Sequence, residues 1–265
     1  MNVKRLAIVA HEKKAEAKEA KESLSAWLQG QGIEVVDSEP DLVVSLGGDG
    51  TMLRAAQQAH REDAPLLGVN LGRVGYLTEV EMGSERSSLE AIFDGRFQIE
   101  ERMMLAAKIT TGGEEHSFVG LNEVLVERSS RYRLVRLEVY VGPDRLGEFS
   151  SDGMIVATPT GSTAYALSAG GPIISPRAQC LILVPVSAHM IMSKPFVFAA
   201  DETVTITVKD DSDQSASLVL DGALGQSLPP GCPVTVGRHP RSLRLIRLSG
   251  PDFVPRLRMK LGLPG

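Results

Sequence analysis

Near residue 97 the period of the apolar pattern changes. Before it, strand-length apolar runs alternate with a helical pattern. RLAIVA at Arg5 to Ala10, Ile33 to Val36 and Leu42 to Leu46 have strand length, while Ala20, Leu24, Trp27 and Leu28 recur at helical spacing. Gly30 and Gly32 can close that helix in a left-handed cap. Met52 to His60 and Ser87 to Phe93 are helix-prone, with the strand-like LLGVN between them. This rhythm predicts an α/β domain with a Rossmann-like open sheet over residues 1–97. After it, MLAAKITTGG, HSFVGLNEVLVER, LVRLEVYVG, GMIVATP, CLILVPV, VTITV, SLVL, PVTVG and LRLIRL are short β-rich runs separated by turn residues. They predict a β-rich domain with little helix over residues 98–250. Residues 251–265 are expected as a tail that packs back on the first domain or on a partner subunit.

Composition narrows the partners. Against 33 Asp and Glu there are 28 Lys and Arg, a net charge of −5, and aromatic residues make up only 5%. That balance argues against nucleic acid as the main ligand. No run approaches the ~18 apolar residues of a membrane helix, and the N-terminus lacks the apolar core and cleavage site of a signal peptide. A cytoplasmic protein without membrane partners is expected. Cys180 and Cys232 stand far apart without CxxC spacing, so neither a zinc site nor a disulfide framework is indicated.

The turn Gly47-Gly48-Asp49-Gly50-Thr51 leaves an apolar run and enters a helix-prone segment, the place where open α/β sheets bind ligands. Glycine lets backbone N–H groups approach phosphate oxygens, and the helix N-terminus adds free donors. Asp49 would repel an anion, so its presence asks for another role. A base taking a hydroxyl proton, or a group holding a phosphate-bound Mg²⁺, would supply one. No GK[ST] follows, and no GxGxxG is present, which removes the Walker and the ordinary dinucleotide readings.

A second constellation runs from Asp152 to Pro172, dense in glycine and hydroxyl groups. Ser162, Thr163, Tyr165 and Ser168 can donate to phosphate or sugar oxygens, and Asp152 can accept from an exocyclic amine or a ribose hydroxyl. Asn122 and Glu123 place an amide beside a carboxylate, suited to ribose hydroxyls. His11, Glu79, Glu81 and His116 have no partners at catalytic spacing and are read as structural.

Together, GGDGT at 47–51, NLGRVGYLTEV at 70–80, GLNEVLVER at 120–128 and SDGMIVATPTGSTAYALSAGGPI at 151–173 resemble the bacterial NAD kinase family. The GGDGT turn alone is shared with phosphofructokinases and lipid kinases; the long Thr-Pro-Thr-Gly-Ser-Thr-Ala-Tyr block is far more specific. The resemblance implies a kinase that uses ATP and a divalent metal, Mg²⁺ carried on the ATP phosphates, to phosphorylate the 2′-hydroxyl of the adenosine ribose of NAD. It implies an α/β domain and a β-rich domain with the site between them, and a homodimer or homotetramer. By the same resemblance Asp49 accepts the hydroxyl proton and Gly50 lines the same turn. Asn122, Glu123 and Asp152 bind NAD, together with Thr163, Ala164, Tyr165, Ala166, Leu167 and Ser168. Gly47, Gly48, Thr51, Arg54 and Arg133 are candidates for phosphate or other ligand contacts. Two departures are local: Ala188-His189-Met190 stands where the family often has Pro-His-Ser, and Asp221-Gly222-Ala223 where it has Asp-Gly-Gln. The alternatives are a lipid or sugar kinase sharing the glycine turn, and a non-catalytic NAD(P) sensor.

Overall fold

The computed structural model describes residues 1–72, 75–130, 133–188, 194–209, 215–249 and 253–262. His189 and Met190 lie outside the described residues, as do Arg73 and Val74 of the 70–80 stretch. The chain divides into two units, Met1–Arg102 with Leu243–Gly265, and Met103–Ser242.

The chain begins as an alternation of β and α: β1 (Arg5–Ala10), α1 (Ala15–Gly30), β2 (Glu34–Val35), β3 (Leu42–Leu46), α2 (Asp49–Arg61) and β4 (Leu66–Asn70). The short β5 (Val80–Glu81), α3 (Glu85–Phe93) and β6 (Gln98–Arg102) follow. Strands β2, β1, β3 and β4 lie side by side and parallel. Every residue of β3 and β4 is buried, as expected where a parallel sheet is covered on both faces, which is why both read as unbroken apolar runs. Helix α1 packs Leu24 and Leu28, and α3 packs Leu89 and Ile92, into one core with Leu6, Ile8, Leu42 and Val44. Gly32, at φ +76°, closes α1 as its sequence position suggests. On α2 the small residues Ala55, Ala56 and Ala59 and the fully buried Met52 form the inward stripe.

The second unit is built from antiparallel strands: β7 (Leu105–Thr111), β8 (Glu114–Gly120), β9 (Glu123–Arg128), β10 (Val135–Val141), β11 (Asp144–Ser151) and β12 (Gly153–Ala157). A 3-10 turn at Gly161–Thr163 leads into the single-turn α4 (Tyr165–Ser168). Then come β13 (Cys180–Val186), β14 (Phe196–Ala199), β15 (Val204–Val208), β16 (Ala216–Leu220), β17 (Ala223–Leu228) and β18 (Pro233–Arg238). They form two six-stranded sheets, ordered β11-β10-β15-β18-β7-β8 and β14-β13-β12-β9-β16-β17. Alternate residues of both, among them Leu105, Leu137, Ile206, Val234, Val126, Met154 and Leu183, share one core. Leu125, Ile155, Ile182 and Val184 form a second cluster with Ala166 of α4. Strands β9, β12 and β13 are thus apolar on both faces, and the loop carrying the hydroxyl-rich block is seated on them.

The chain then returns to the first sheet through β19 (Leu243–Arg247) and α5 (Phe253–Leu261). Strand β19 lies between β4, to which it is parallel, and β6, to which it is antiparallel. The expected boundary at residue 97 and the assignment of LRLIRL to the second domain are corrected by this pairing. Both β6 and β19 are strands of the first unit, because each completes the other's hydrogen-bond ladder. Within the expected tail, Phe253–Leu261 form the helix α5, which belongs to the first unit.

Candidate functional site

In the first unit the turn after β3 makes Gly48 the N-cap of α2 and puts Asp49 in its first turn, where the helix leaves backbone N–H groups free. A Cβ at Gly48 or Gly50 would meet nothing within 4 Å, and neither residue has a left-handed φ. The chain itself does not require glycine at these two positions. Their bareness leaves room over the N–H groups for something outside the chain, as a phosphate cradle needs. Gly47 is different: a Cβ there would stand 2.6 Å from Thr51 Cβ, so it is glycine to let Thr51 pack beneath the turn. Thr51 is buried, and its hydroxyl faces Gly47. Arg54, exposed one turn along, donates to Glu12 and to the carbonyl of Ala10 at 3.2 Å.

The Asp49 carboxylate is half-buried against residues 75–77. Tyr76 N–H is directed at Oδ2 at 3.4 Å and Leu77 N–H at Oδ1 at 3.5 Å, both long contacts. A Cβ on Gly75 would overlap Oδ1. Burial, and then the negative Asp49, push the Tyr76 phenol above its ordinary range. In the sequence Gly75 is one glycine of the 70–80 motif; in three dimensions its bareness admits this carboxylate.

In the second unit Asn122 and Glu123 stand at the start of β9. Asp221 accepts hydrogen bonds from the N–H groups of Leu121 (2.7 Å), Asn122 (2.7 Å) and Glu123 (3.1 Å). Asp221 and Gly222 both have positive φ, +48° and +78°, and form the two-residue turn joining β16 to β17. Three bonds to one carboxylate offset the strain of a non-glycine residue there. On the other side, a Cβ at Gly161 would stand 2.5 Å from the Asn122 carbonyl carbon, so the Thr-Gly-Ser turn touches the Asn-Glu pair backbone to backbone. Glu123 is buried, and its Oε2 has no hydrogen-bond partner. Desolvation, and then the like charge of Asp221, raise its carboxyl to about 7, against the lowering effect of the Tyr165 N–H.

The hydroxyl block divides by role. Ser162 is fully buried; its hydroxyl donates to Pro159 O at 2.7 Å and accepts from Ile174 N–H at 3.0 Å. The ligand contact anticipated for that hydroxyl gives way to bracing the loop. Thr163 Oγ1 donates to Thr160 O at 3.3 Å. Tyr165 and Ser168 are exposed, Ala164 and Leu167 half-buried, and Ala166 is the buried anchor. Asp152 pairs with Arg128 at 2.6 Å beside a cavity of about 420 Å³ lined also by Ser129, Ser130, Tyr165 and Ser187. Arg133 is exposed just before β10. Asp221 and Gly75 are residues whose roles sequence reasoning missed. Asp-Gly between two β-rich runs is a readable hairpin signal, but nothing local points from residue 221 to residue 122.

A lone carboxylate among open glycines, where a parallel sheet presents the carboxyl end of a strand, suits activation of a hydroxyl toward phosphorus. Fold and site together define a nucleotide-dependent phosphotransferase. Residues 31–97 match the ATP-NAD kinase N-terminal domain and residues 121–248 the ATP-NAD kinase C-terminal domain. An NAD kinase of Heliobacterium modesticaldum is 45% identical over 222 residues, covering 83% of this chain and 78% of the relative. One from Syntrophotalea carbinolica is 38% identical, covering 98% and 99%. Among solved structures, an NAD kinase from Archaeoglobus fulgidus in complex with ATP aligns with a TM-score of 0.77 at 26% identity, covering 98% of this chain and all of that one. Yeast NADH kinase complexed with NADH shares the fold, at a TM-score of 0.91 and 20% identity, covering 100% and 89%. The chain belongs to the ATP-NAD kinase family and is an enzyme with NAD kinase function. Among the described residues no helix is long and apolar enough to cross a membrane.

Proposed function

We propose that the enzyme transfers the γ-phosphoryl group of ATP to the 2′-hydroxyl of the adenosine ribose of NAD, giving NADP and ADP, with Asp49 as acceptor of the hydroxyl proton. The observation that carries this reading is the Asp49 carboxylate, fixed against Gly75 and flanked by Gly48 and Gly50, whose Cβ positions are open. In a loose transition state little basicity is asked of the acceptor, so Asp49 contributes chiefly by holding the hydroxyl in line. The glycine N–H groups and the head of α2 receive charge on the phosphates. In the second unit, the unpartnered Glu123 Oε2 and the Asn122 amide offer partners to ribose hydroxyls, and an unsatisfied buried oxygen is costly until such a partner arrives. Thr163 to Ser168, with Asp152 and its cavity, receive the rest of the dinucleotide.

The ATP complex of the Archaeoglobus relative supports ATP as donor. A divalent ion enters this reading on the triphosphate. Among the described residues no three His, Cys, Asp or Glu side chains could hold a metal together, and Mg²⁺ is commonly bound by one or two carboxylates plus substrate phosphates. When bound, it shields phosphate charge. The reading includes a cytoplasmic enzyme assembled as a dimer or tetramer, which the open sheet edges at β8, β11, β14 and β17 suit.

The test is NADP formation from NAD, ATP and Mg²⁺, read through a strictly NADP-dependent dehydrogenase, with Asp49→Asn beside the wild type. The variant is expected to fold and bind NAD while losing about 10²- to 10⁴-fold in turnover. Near-normal turnover in Asp49→Asn would remove the proton acceptor from the reading.

A further inference from the structure

The C-terminal helix reaches residues 75–79, the segment that packs against Asp49. Arg256 of α5, its side chain 9% exposed, donates through Nη1 to the carbonyls of Gly75 (3.2 Å) and Thr78, and through Nη2 to Glu79 Oε2 (3.2 Å). The Glu79 side chain is 2% exposed and also accepts from Arg247 at 3.0 Å and from the N–H groups of Leu248 and Ser249. Its expected structural role is this one. Lys260, a turn beyond Arg256, lies 5.7 Å over the Tyr76 ring.

The carbonyl of Gly75 and the N–H of Tyr76 belong to one planar peptide group and point in opposite directions. Arg256 holds the carbonyl; the N–H is directed at Asp49 Oδ2. One peptide therefore stands between a buried guanidinium and the proposed catalytic carboxylate. A cation on the oxygen polarises the group and makes its N–H a better donor. Gly75 itself presses on Asp49 from the same loop, so any drift of the loop is passed to the carboxylate by contact.

We propose that Arg256 is a positioning residue for Asp49, acting through the Gly75–Tyr76 peptide, so that the C-terminal helix governs turnover without touching substrate. This rests on the reading of Asp49 as proton acceptor. A guanidinium that only fastened α5 to the sheet would affect stability and leave the chemistry of properly folded enzyme alone.

The experiment measures NADP formation and thermal stability for Arg256→Met, Arg256→Lys, Asp49→Asn and the two double variants. Arg256→Met is expected to lower kcat about 10- to 100-fold, with KM for NAD and ATP within about twofold of wild type. Arg256→Lys recovers part of the loss, because an ammonium reaches a carbonyl but cannot span Gly75, Thr78 and Glu79 together. In the Asp49→Asn background the same Arg256 changes should alter residual turnover by less than about twofold, since the group they act through is gone. Equal losses in both backgrounds, or wild-type kcat in Arg256→Met beside an inactive Asp49→Asn, overturn the proposal and leave the Asp49 reading standing. Near-normal turnover of Asp49→Asn overturns both. If Arg256→Met does not fold, Arg256→Lys is decisive: a reduced kcat at unchanged KM supports the relay, and an unchanged kcat refutes it.

Discussion

Gly75→Ala separates the position of the carboxylate from the integrity of the fold. A Cβ on Gly75 would overlap Asp49 Oδ1 and stand 2.9 Å from Cγ and 3.1 Å from Oδ2. Carbon contacts settle at about 3.5–4.0 Å, so the carboxylate must withdraw by roughly 1 Å. The φ of Gly75 lies outside the left-handed region, and alanine brings no backbone strain of its own. What yields is the short Asp49 side chain, half-buried at the turn, by rotating off its rotamer at a cost of about 0.5–1.5 kcal/mol. For a protein of this size that lowers Tm by only about 1–6 °C. Turnover is far more sensitive, because a displacement of about 1 Å at a reacting group can cost on the order of 100-fold. Steady-state NADP formation and a melting curve on the same preparation give both numbers. The expected result is kcat down about 100-fold with the KM for NAD held within about threefold. Wild-type kcat in a folded Gly75→Ala enzyme would refute the idea that residues 75–77 set the position of Asp49.

Glu123 gives a pH signature. Its folded-state carboxyl sits at about 7 against an ordinary 4.5, so between these values the folded protein holds more protons than the unfolded chain. Stability is therefore highest at the acid end of that window and falls as pH rises through it. Glu123→Gln cannot titrate, and its Tm relative to wild type should climb from about pH 4.5 to about pH 7; parallel Tm profiles would show that the carboxyl is not raised. A native mass measurement checks the assembly: a dimer or tetramer is expected, and a monomer at assay concentration removes it from the functional reading.

Sequence carried the first unit as far as its periodicity reached. Strands β1, β3 and β4 and helices α1 and α2 are legible because burial stamps them with apolar runs or a helical stripe. Strand β6, QIEER, has one buried residue in five and no pattern to find. LRLIRL reads as one more strand among many, since nothing in its composition says which sheet it joins. The glycine turn was legible as a possible anion site because its chemistry is local. Partners of the site residues were not: Arg256 meets Gly75 across 181 positions and Asp221 meets Leu121 across 100. Hydroxyl density also misled at Ser162, where the loop consumes the group to hold itself together.

The return of β19 to the first sheet has a consequence for biosynthesis. Residues 103–242 are continuous and can pack as they emerge, whereas the sheet whose strand β3 leads to Asp49 lacks the strand between β4 and β6 until residues 243–247 have been made. The segment translated first is thus completed last. During that interval β4 exposes an apolar flank and β6 has no ladder to join, an opening for chaperones or for mispairing with another chain. A frameshift directly after residue 242 would spare the whole second unit in sequence and still leave the N-terminal sheet unfinished.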